Sequence, residues 1–176
     1  LICDAISDAG VELMRTFADV DIQTGLSKTD LVRIIPIYDA VVVRSATQIT
    51  AEVLDHAVRL KAIGRAGAGV NNIPIARCTD TGVVVFNTPG ANANAVKELV
   101  ICSLFLSSRR IIPGVEWAKS LIGNGDEVPK LVEKGKSDFV GPEIQGKTLG
   151  IIGLGAIGLL VANAAESLGM RVIGFD

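Results

Sequence analysis

The sequence predicts an α/β protein built on parallel sheets, and three observations carry that expectation. Short runs rich in Val, Ile and Ala recur between stretches of helical periodicity, the pattern of strands covered on both faces and joined by crossover helices. Helix-capping and helix-stopping residues fall where one period gives way to the other. A turn with three glycines, Gly153, Gly155 and Gly158, joins one such run to a helical stretch, and Asp176 closes a further run eighteen residues past the last glycine.

Residues 1–5 read as a strand end, Ser7 as a helix N-cap and 11–17 as a helix with apolar residues at helical spacing. A short strand is expected over 20–23. Ser27 and Asp30 have the spacing of a capping box, with Asp where Glu is commoner, and open a helix that Pro36 stops. The β-branched run 40–43 reads as a central strand, Thr50 as the cap of a helix over 51–57, and 60–64 as the next strand. A helix over 73–81, closed by Gly82, leads to a fifth strand at 83–86. Strands alternating with helices in this way predict a flavodoxin-like, doubly wound parallel sheet as a first domain, residues 1–92.

The second part, 93–176, begins with a long helix from Asn94 to about Arg110, which Pro113 is expected to break before a shorter helical piece ending near Leu121. Residues 123–146, with their glycines, prolines and charged side chains, read as a surface linker. The strand 149–152, the helix 159–168 closed by Gly169 and the strand 172–175 then make one βαβ unit. Both strands are apolar on both faces, and a two-stranded sheet with one crossover helix leaves apolar surface open. The expectation is therefore an incomplete Rossmann nucleotide-binding domain whose uncovered face belongs against further chain or another subunit.

Composition narrows the function classes. At 176 residues and 49% hydrophobic content the chain can bury an α/β core, and a net charge of -2 without a basic block argues against nucleic acid or a membrane surface as partner. No apolar run is long enough to span a bilayer, and nothing resembles a signal peptide. Cys3, Cys78 and Cys102 are odd in number and widely spaced, which argues against a disulfide framework or a metal site and for a reducing, cytoplasmic setting. The chain opens on Leu1, inside an expected strand and without an initiator Met, which points to a start within a longer chain.

In open parallel sheets ligands bind beyond the carboxyl ends of the strands. Arg44, Ser45 and Thr47 follow the third strand, Arg65 and the loop Gly67, Ala68, Gly69 with Asn71 and Asn72 follow the fourth, and Asn87 and Thr88 follow the fifth. Gly67 and Gly69 are expected to turn backbone N–H groups toward an anion, and Arg44 supplies the forked donor that a carboxylate or phosphate fits. A small anionic substrate follows. Asp4 follows the first strand and is within reach of the same rim. Plainer readings stand beside these: surface ion pairs for Arg44 and Arg65, a tight turn for the glycines, helix capping for Asp4, Asn71 and Asn72. His56, the single histidine, lies on a helix away from the strand ends and is expected to be structural. Cys102 reads as a core residue, with no neighbour to lower its pKa. In the glycine turn, Gly153 permits the bend, Gly155 lets a pyrophosphate approach the backbone, and Gly158 lets helix and strand pack closely, with the helix N-terminus facing the phosphates. Asp176 is placed to accept hydrogen bonds from ribose hydroxyls and to repel a 2′-phosphate, which favours NAD over NADP.

Taken together, segments 43–47, 64–72, 87–89, 96–99 and 146–158 resemble the D-2-hydroxyacid dehydrogenase family, with the matching stretches in the family's order through the whole chain. The resemblance implies an enzyme that oxidises a D-2-hydroxy acid with NAD, a substrate-binding domain first and a nucleotide domain after a long helix. Among substrates it favours 3-phosphoglycerate, converted to 3-phosphohydroxypyruvate at the start of serine synthesis. Lactate, glyoxylate or hydroxypyruvate as substrate, and a non-catalytic NAD-sensing interaction module, are the alternatives. By resemblance Arg44 and Ser45 face the substrate, Ala68 and Gly69 its carboxylate and the nicotinamide end, Ala156 and Ile157 the pyrophosphate, and Asp176 the ribose. Many members carry Arg where Ala156 stands; with Ala only the backbone N–H groups meet the pyrophosphate, and cofactor affinity is expected to fall. The family's catalytic Arg, Glu and His lie downstream of the ribose-binding acid. No catalytic residue or metal ligand is therefore assigned here, and the 176 residues alone are expected to be inactive. The resemblance also implies a homo-oligomer formed through the nucleotide domain, with the helix from Asn94 as a candidate contact.

Overall fold

Val41, Val43 and Ile63 are wholly buried, and the sheet that carries them organises the first of two units, Leu1–Asn92 and Ala93–Asp176, in the computed structural model, which describes residues 1–176. Strands β1 (Ala40–Val43), β2 (Ala62–Arg65) and β3 (Val84–Phe86) pair in parallel in that order, with Ala40 opposite Ala62 and Ala62 opposite Val84. Two further segments extend the sheet. Ile2 bridges Val42 on one side and Ile22 on the other; Cys3 N–H donates to Val42 O at 2.9 Å and Ile2 N–H to Asp21 O at 2.8 Å. The order across the sheet is thus segment 22, segment 2, β1, β2, β3, the flavodoxin-like arrangement.

The strands predicted at 1–5 and 20–23 are accordingly single bridges. Asp4 leaves the ladder because its carboxylate turns to the loop after β1, and the segment around Ile22 is an exposed edge with one neighbour.

Three helix starts fall on the capping residues the sequence marks. The Ser7 hydroxyl accepts from Gly10 N–H at 3.3 Å to open α1 (Asp8–Arg15). Ser27 Oγ accepts from Asp30 N–H at 3.1 Å to open α2 (Lys28–Ile34), and Thr50 accepts from Val53 N–H at 3.3 Å to open α3 (Ala51–His56). Helix α4 (Ile75–Thr81) ends at Gly82 in the left-handed region, φ 74°. Leu31, Val53, Leu54 and Cys78 from these helices, and Ile35 just after α2, pack in one cluster with Val41, Val43 and Ile63. Each such side chain contributes about 1.5–3 kcal/mol of burial. Val42 and Gly64 alternate to the other face, where they line a hollow with Met14 of α1 and Phe86.

The second unit holds α5 (Ala93–Ser108), α6 (Ile111–Ser120), α7 (Val128–Gly135), β4 (Thr148–Ile152), α8 (Ala156–Ser167) and β5 (Arg171–Phe175). Strands β4 and β5 are parallel from Thr148 opposite Arg171 to Ile152 opposite Phe175, and α5 packs along α8. Two expectations are corrected here. The break before α6 comes at Arg110, a non-glycine residue at φ 50°, and not at Pro113, which sits in the first turn of α6, where a missing N–H removes no intrahelical bond. Nor are residues 123–146 a plain linker. They contain α7, whose Val128, Leu131 and Val132 recur at helical spacing between lysines, and a 3-10 turn at Lys136–Phe139 that brings Phe139 onto Trp117 of α6, ring centroids 4.8 Å apart. The open apolar surface predicted for the βαβ unit is present: Ile152 is 91% exposed and Phe175 73%. No helix is long and apolar enough to cross a membrane.

Candidate functional site

The first unit gathers its polar loops at the carboxyl ends of the strands. Arg44 follows β1, Arg65 ends β2, and Asn87 and Thr88 follow β3. An open cleft of about 580 Å³ lies there, lined by Ala5, Ile6, Ser7, Arg44, Ala66, Thr88 and Ala91. Of the rim residues singled out in the sequence, Arg44 and Thr88 line it; Ser45, Ala68 and Gly69 are exposed on the loops after β1 and β2, while Arg65 is buried. A second hollow of about 520 Å³ lies at the amino ends of the strands, among Asp19, Tyr38, Asp39 and Arg59, away from every residue the sequence singles out.

Two buried side chains hold the Arg44 turn. The Asp4 carboxylate accepts from Arg44 N–H at 2.5 Å, from Thr47 N–H at 3.2 Å and from the Thr47 hydroxyl at 2.8 Å. Burial alone pushes the Asp4 carboxyl up. The two amides, the hydroxyl and the nearby Arg44 charge outweigh it and hold its pKa below the ordinary carboxylate value. Asn72 reaches the same turn from the other side, its Nδ2 donating to Arg44 O at 2.7 Å and Thr47 O at 2.6 Å. Neither residue is a helix cap: α4 starts at Pro74 without a side-chain cap, and Asp4 bonds to a loop 40 residues away. Sequence reasoning brought both to the rim but not their bonds, because the partners are distant in the chain; a polar residue directly after an apolar strand is the one signal Asp4 offers.

The charges are distributed unevenly. Of the first unit's six arginines, Arg15, Arg33, Arg59 and Arg77 pair with Glu12, Asp30, Asp39 and Asp55. Arg44 and Arg65, the two on the rim, pair with no carboxylate; Arg44 Nη1 donates only a long bond to Ala5 O at 3.4 Å. The surface-ion-pair reading of these two therefore fails.

The loop after β2 differs from the expected amide nest. Neither Gly67 nor Gly69 has positive φ, and Gly67 N–H is already spent on Arg65 O at 2.8 Å. What the glycines permit is close approach of the Arg65 guanidinium: a Cβ on Gly67 would stand 2.8 Å from Arg65 Nη1, and one on Gly69 3.3 Å. The amides of Ala68 and Gly69 donate to no protein group and are free to meet an anion. Asn87 Nδ2 donates to Ala68 O at 2.7 Å and Thr88 N–H to Gly67 O at 3.0 Å, which fixes the loop from the β3 side.

In the second unit the glycine turn divides its tasks by position. Gly153 has φ 93°, a conformation that other residues rarely adopt. A Cβ on Gly158 would overlap the carbonyl oxygen of Gly153, so this glycine allows α8 to rest on the end of β4. Gly155 has open space where a Cβ would point, and no side chain caps α8. The first helical bond is Leu159 N–H to Gly155 O at 3.0 Å, which leaves the amides of Ala156, Ile157 and Gly158 free at the positive end of a 12-residue helix. The helix starts three residues before the predicted position, because Gly158 is accommodated inside it. Asp176 lies beyond β5, and its Oδ1 accepts from Leu154 N–H at 2.9 Å, so the acid is anchored to the turn. An uncapped helix start, open space at Gly155 and an anchored acid suit a dinucleotide's pyrophosphate and ribose.

His56 and the cysteines lie outside both places. His56 Nδ1 is 2.9 Å from Glu52 O on its own helix, and burial pushes the Cys3 thiol up to about 11. Cys102 is exposed on α5, not in a core.

Residues 1–172 match the family described as D-isomer specific 2-hydroxyacid dehydrogenase, catalytic domain. Over its whole length the chain is 39% identical to the D-3-phosphoglycerate dehydrogenase of Archaeoglobus fulgidus and 36% identical to that of Synechocystis sp., covering 32% and 30% of those proteins. It thus spans about a third of the length of the curated relatives it matches. Among solved structures it is similar to NAD+-bound 3-phosphoglycerate dehydrogenase of Entamoeba histolytica, with a TM-score of 0.73 and 30% identity over 99% of this chain and 52% of that one.

Proposed function

The chain belongs to the D-isomer specific 2-hydroxyacid dehydrogenases, and from that membership we propose that the complete enzyme oxidises 3-phosphoglycerate to 3-phosphohydroxypyruvate with NAD. Residues 1–92 act as the substrate-binding domain, and residues 93–176 supply the opening of the NAD-binding domain. The observation that carries this reading is the pair of arginines without carboxylate partners on the rim of the first unit, the one place there where an incoming anion finds uncompensated positive charge. The names of the relatives support phosphoglycerate over other hydroxy acids.

Arg44, with Ser45 beside it, takes the substrate's anionic end, and the free amides of Ala68 and Gly69 take its carboxylate. Gly67 shapes that loop by admitting Arg65. Bound at the glycine turn, NAD supplies the hydride acceptor; the amides of Ala156, Ile157 and Gly158 meet its pyrophosphate, and Gly153 and Gly155 keep the approach open. Asp176 keeps Oδ2 for the ribose hydroxyls while Leu154 holds Oδ1, and its charge selects against a 2′-phosphate. Oxidation also needs a base for the hydroxyl proton. The single histidine, on α3 and turned to Glu52 O, is not placed for that task, so the 176 residues alone are without turnover in this reading. Leu99 of α5 and Ile112 and Val115 of α6, all exposed, support a homo-oligomer formed through the second unit.

Steady-state NADH formation by the complete enzyme tests the reading. Arg44→Ala is expected to lower selectivity for 3-phosphoglycerate over lactate by roughly tenfold or more, the worth of one charge-assisted hydrogen bond. Unchanged selectivity would remove Arg44 from the site.

A further inference from the structure

Asn72 is 3% exposed and sits between the two cationic elements of the rim. Its side chain spends both amide hydrogens and one acceptor position: Nδ2 donates to Arg44 O at 2.7 Å and to Thr47 O at 2.6 Å, while Oδ1 accepts from Arg65 Nε at 2.8 Å. The partners settle the orientation of the amide, since two carbonyl oxygens can face only the NH2 group and a guanidinium N–H only the oxygen. No other side chain bonds to both the Arg44 turn and Arg65. Asp4 holds the Arg44 turn alone, through its amides, and Asn87 holds the Gly67–Gly69 loop alone. The Asn72 backbone is fixed as well, its carbonyl accepting from Ile49 N–H at 3.0 Å.

We infer that Asn72 is a positioning residue that sets the separation and aim of the Arg44 turn relative to Arg65 and the Ala68–Gly69 amides, so that the rim grips a two-ended anionic substrate at one spacing. The inference rests on Arg44 binding the substrate's anion, as proposed above. Asn72 touches no substrate in this account. It acts because Arg44, exposed and without a carboxylate partner, has its backbone carbonyl tied down two bonds from the side chain that must reach the ligand. Polar groups in one buried network couple strongly, and losing the Asn72 amide strands two carbonyls and the Arg65 Nε together.

A double-mutant cycle in the complete enzyme tests this, with KM for 3-phosphoglycerate, KM for NAD and kcat measured for wild type, Asn72→Ala, Arg44→Ala and the double variant. Asn72→Ala is expected to raise the KM for 3-phosphoglycerate about tenfold with the KM for NAD unchanged, and to add little once Arg44 is alanine. Asn72→Asp, which keeps the shape and the Arg65 contact but turns acceptors onto two carbonyls, is expected to behave like Asn72→Ala. Should Asn72→Ala not fold, Asn72→Ser, which keeps a donor, carries the same cycle. Effects of Asn72 and Arg44 that simply add, or a parallel rise in both KM values, would overturn the inference while leaving Arg44 as a substrate ligand. A flat response to Arg44→Ala would overturn the substrate reading of Arg44 and this inference with it.

Discussion

The two candidate sites are built from different materials. On the rim of the first unit the distinctive working groups are side chains, two arginines without carboxylate partners: Asp4 and Asn72 hold the Arg44 turn through bonds that span 25 to 43 residues of chain, and Asn72 holds Arg65 from seven residues away. At the turn of the second unit the working groups are backbone amides, and the essential property of the residues is the absence of a side chain at Gly153 and Gly158. A side-chain site tolerates backbone variation but not loss of its supports. A backbone site is indifferent to most side chains and intolerant of a single added methyl.

The largest test of that contrast is Gly158→Ala. Its Cβ would overlap the Gly153 carbonyl, so α8 must shift off β4, at a cost of about 3 kcal/mol in the second unit and with loss of NAD binding. Thermal unfolding and NAD titration read both; a variant as stable as the wild type would show that the turn yields.

Asp4→Asn should come next, because it strips charge from the support of the other site, at a cost of about 2 kcal/mol at neutral pH. The sign with pH follows from the depressed carboxyl. A group whose folded pKa lies below its unfolded value contributes stability above about pH 4 and loses it as the pH falls through the folded pKa. Chemical denaturation from pH 7 down to about pH 2 should therefore show an acid limb in the wild type that is shallower in Asp4→Asn. The smallest effect belongs to His56→Ala. With its ring bonded to its own helix, the change should fall within about 0.5 kcal/mol and leave the pH dependence of activity unmoved.

The same contrast explains what could be read from the chain alone. Local physics was legible: Ser7, Ser27 and Thr50 cap the helices they mark, Gly82 ends α4, and the parallel strands β1 to β3 overlap the runs 40–43, 60–64 and 83–86 read as strands. So was the glycine turn, whose geometry is encoded within a few consecutive residues. The rim was legible only in part. Arg44 follows from its place after a strand, but the roles of Asp4 and Asn72, and the use of Gly67 to admit Arg65, depend on contacts between loops far apart in sequence. Helix α7 was hidden because its apolar stripe is interleaved with lysines and flanked by glycines, which read as loop composition. The break at Arg110 carries no sequence signal at all; the proline that seems to announce it fits the first turn of the next helix.

The central claim is that an arginine side chain on the first unit reads the substrate's anionic end, while the backbone amides of the glycine turn on the second read the cofactor's pyrophosphate. The most direct test is steady-state NADH formation from 3-phosphoglycerate by the complete enzyme, with Arg44→Ala and Gly155→Ala measured in parallel. Arg44→Ala should raise the KM for 3-phosphoglycerate and leave that for NAD in place. Gly155→Ala, whose Cβ enters open space and costs little stability, should raise the KM for NAD alone. Both constants moving together in either variant, or neither moving, would contradict the account.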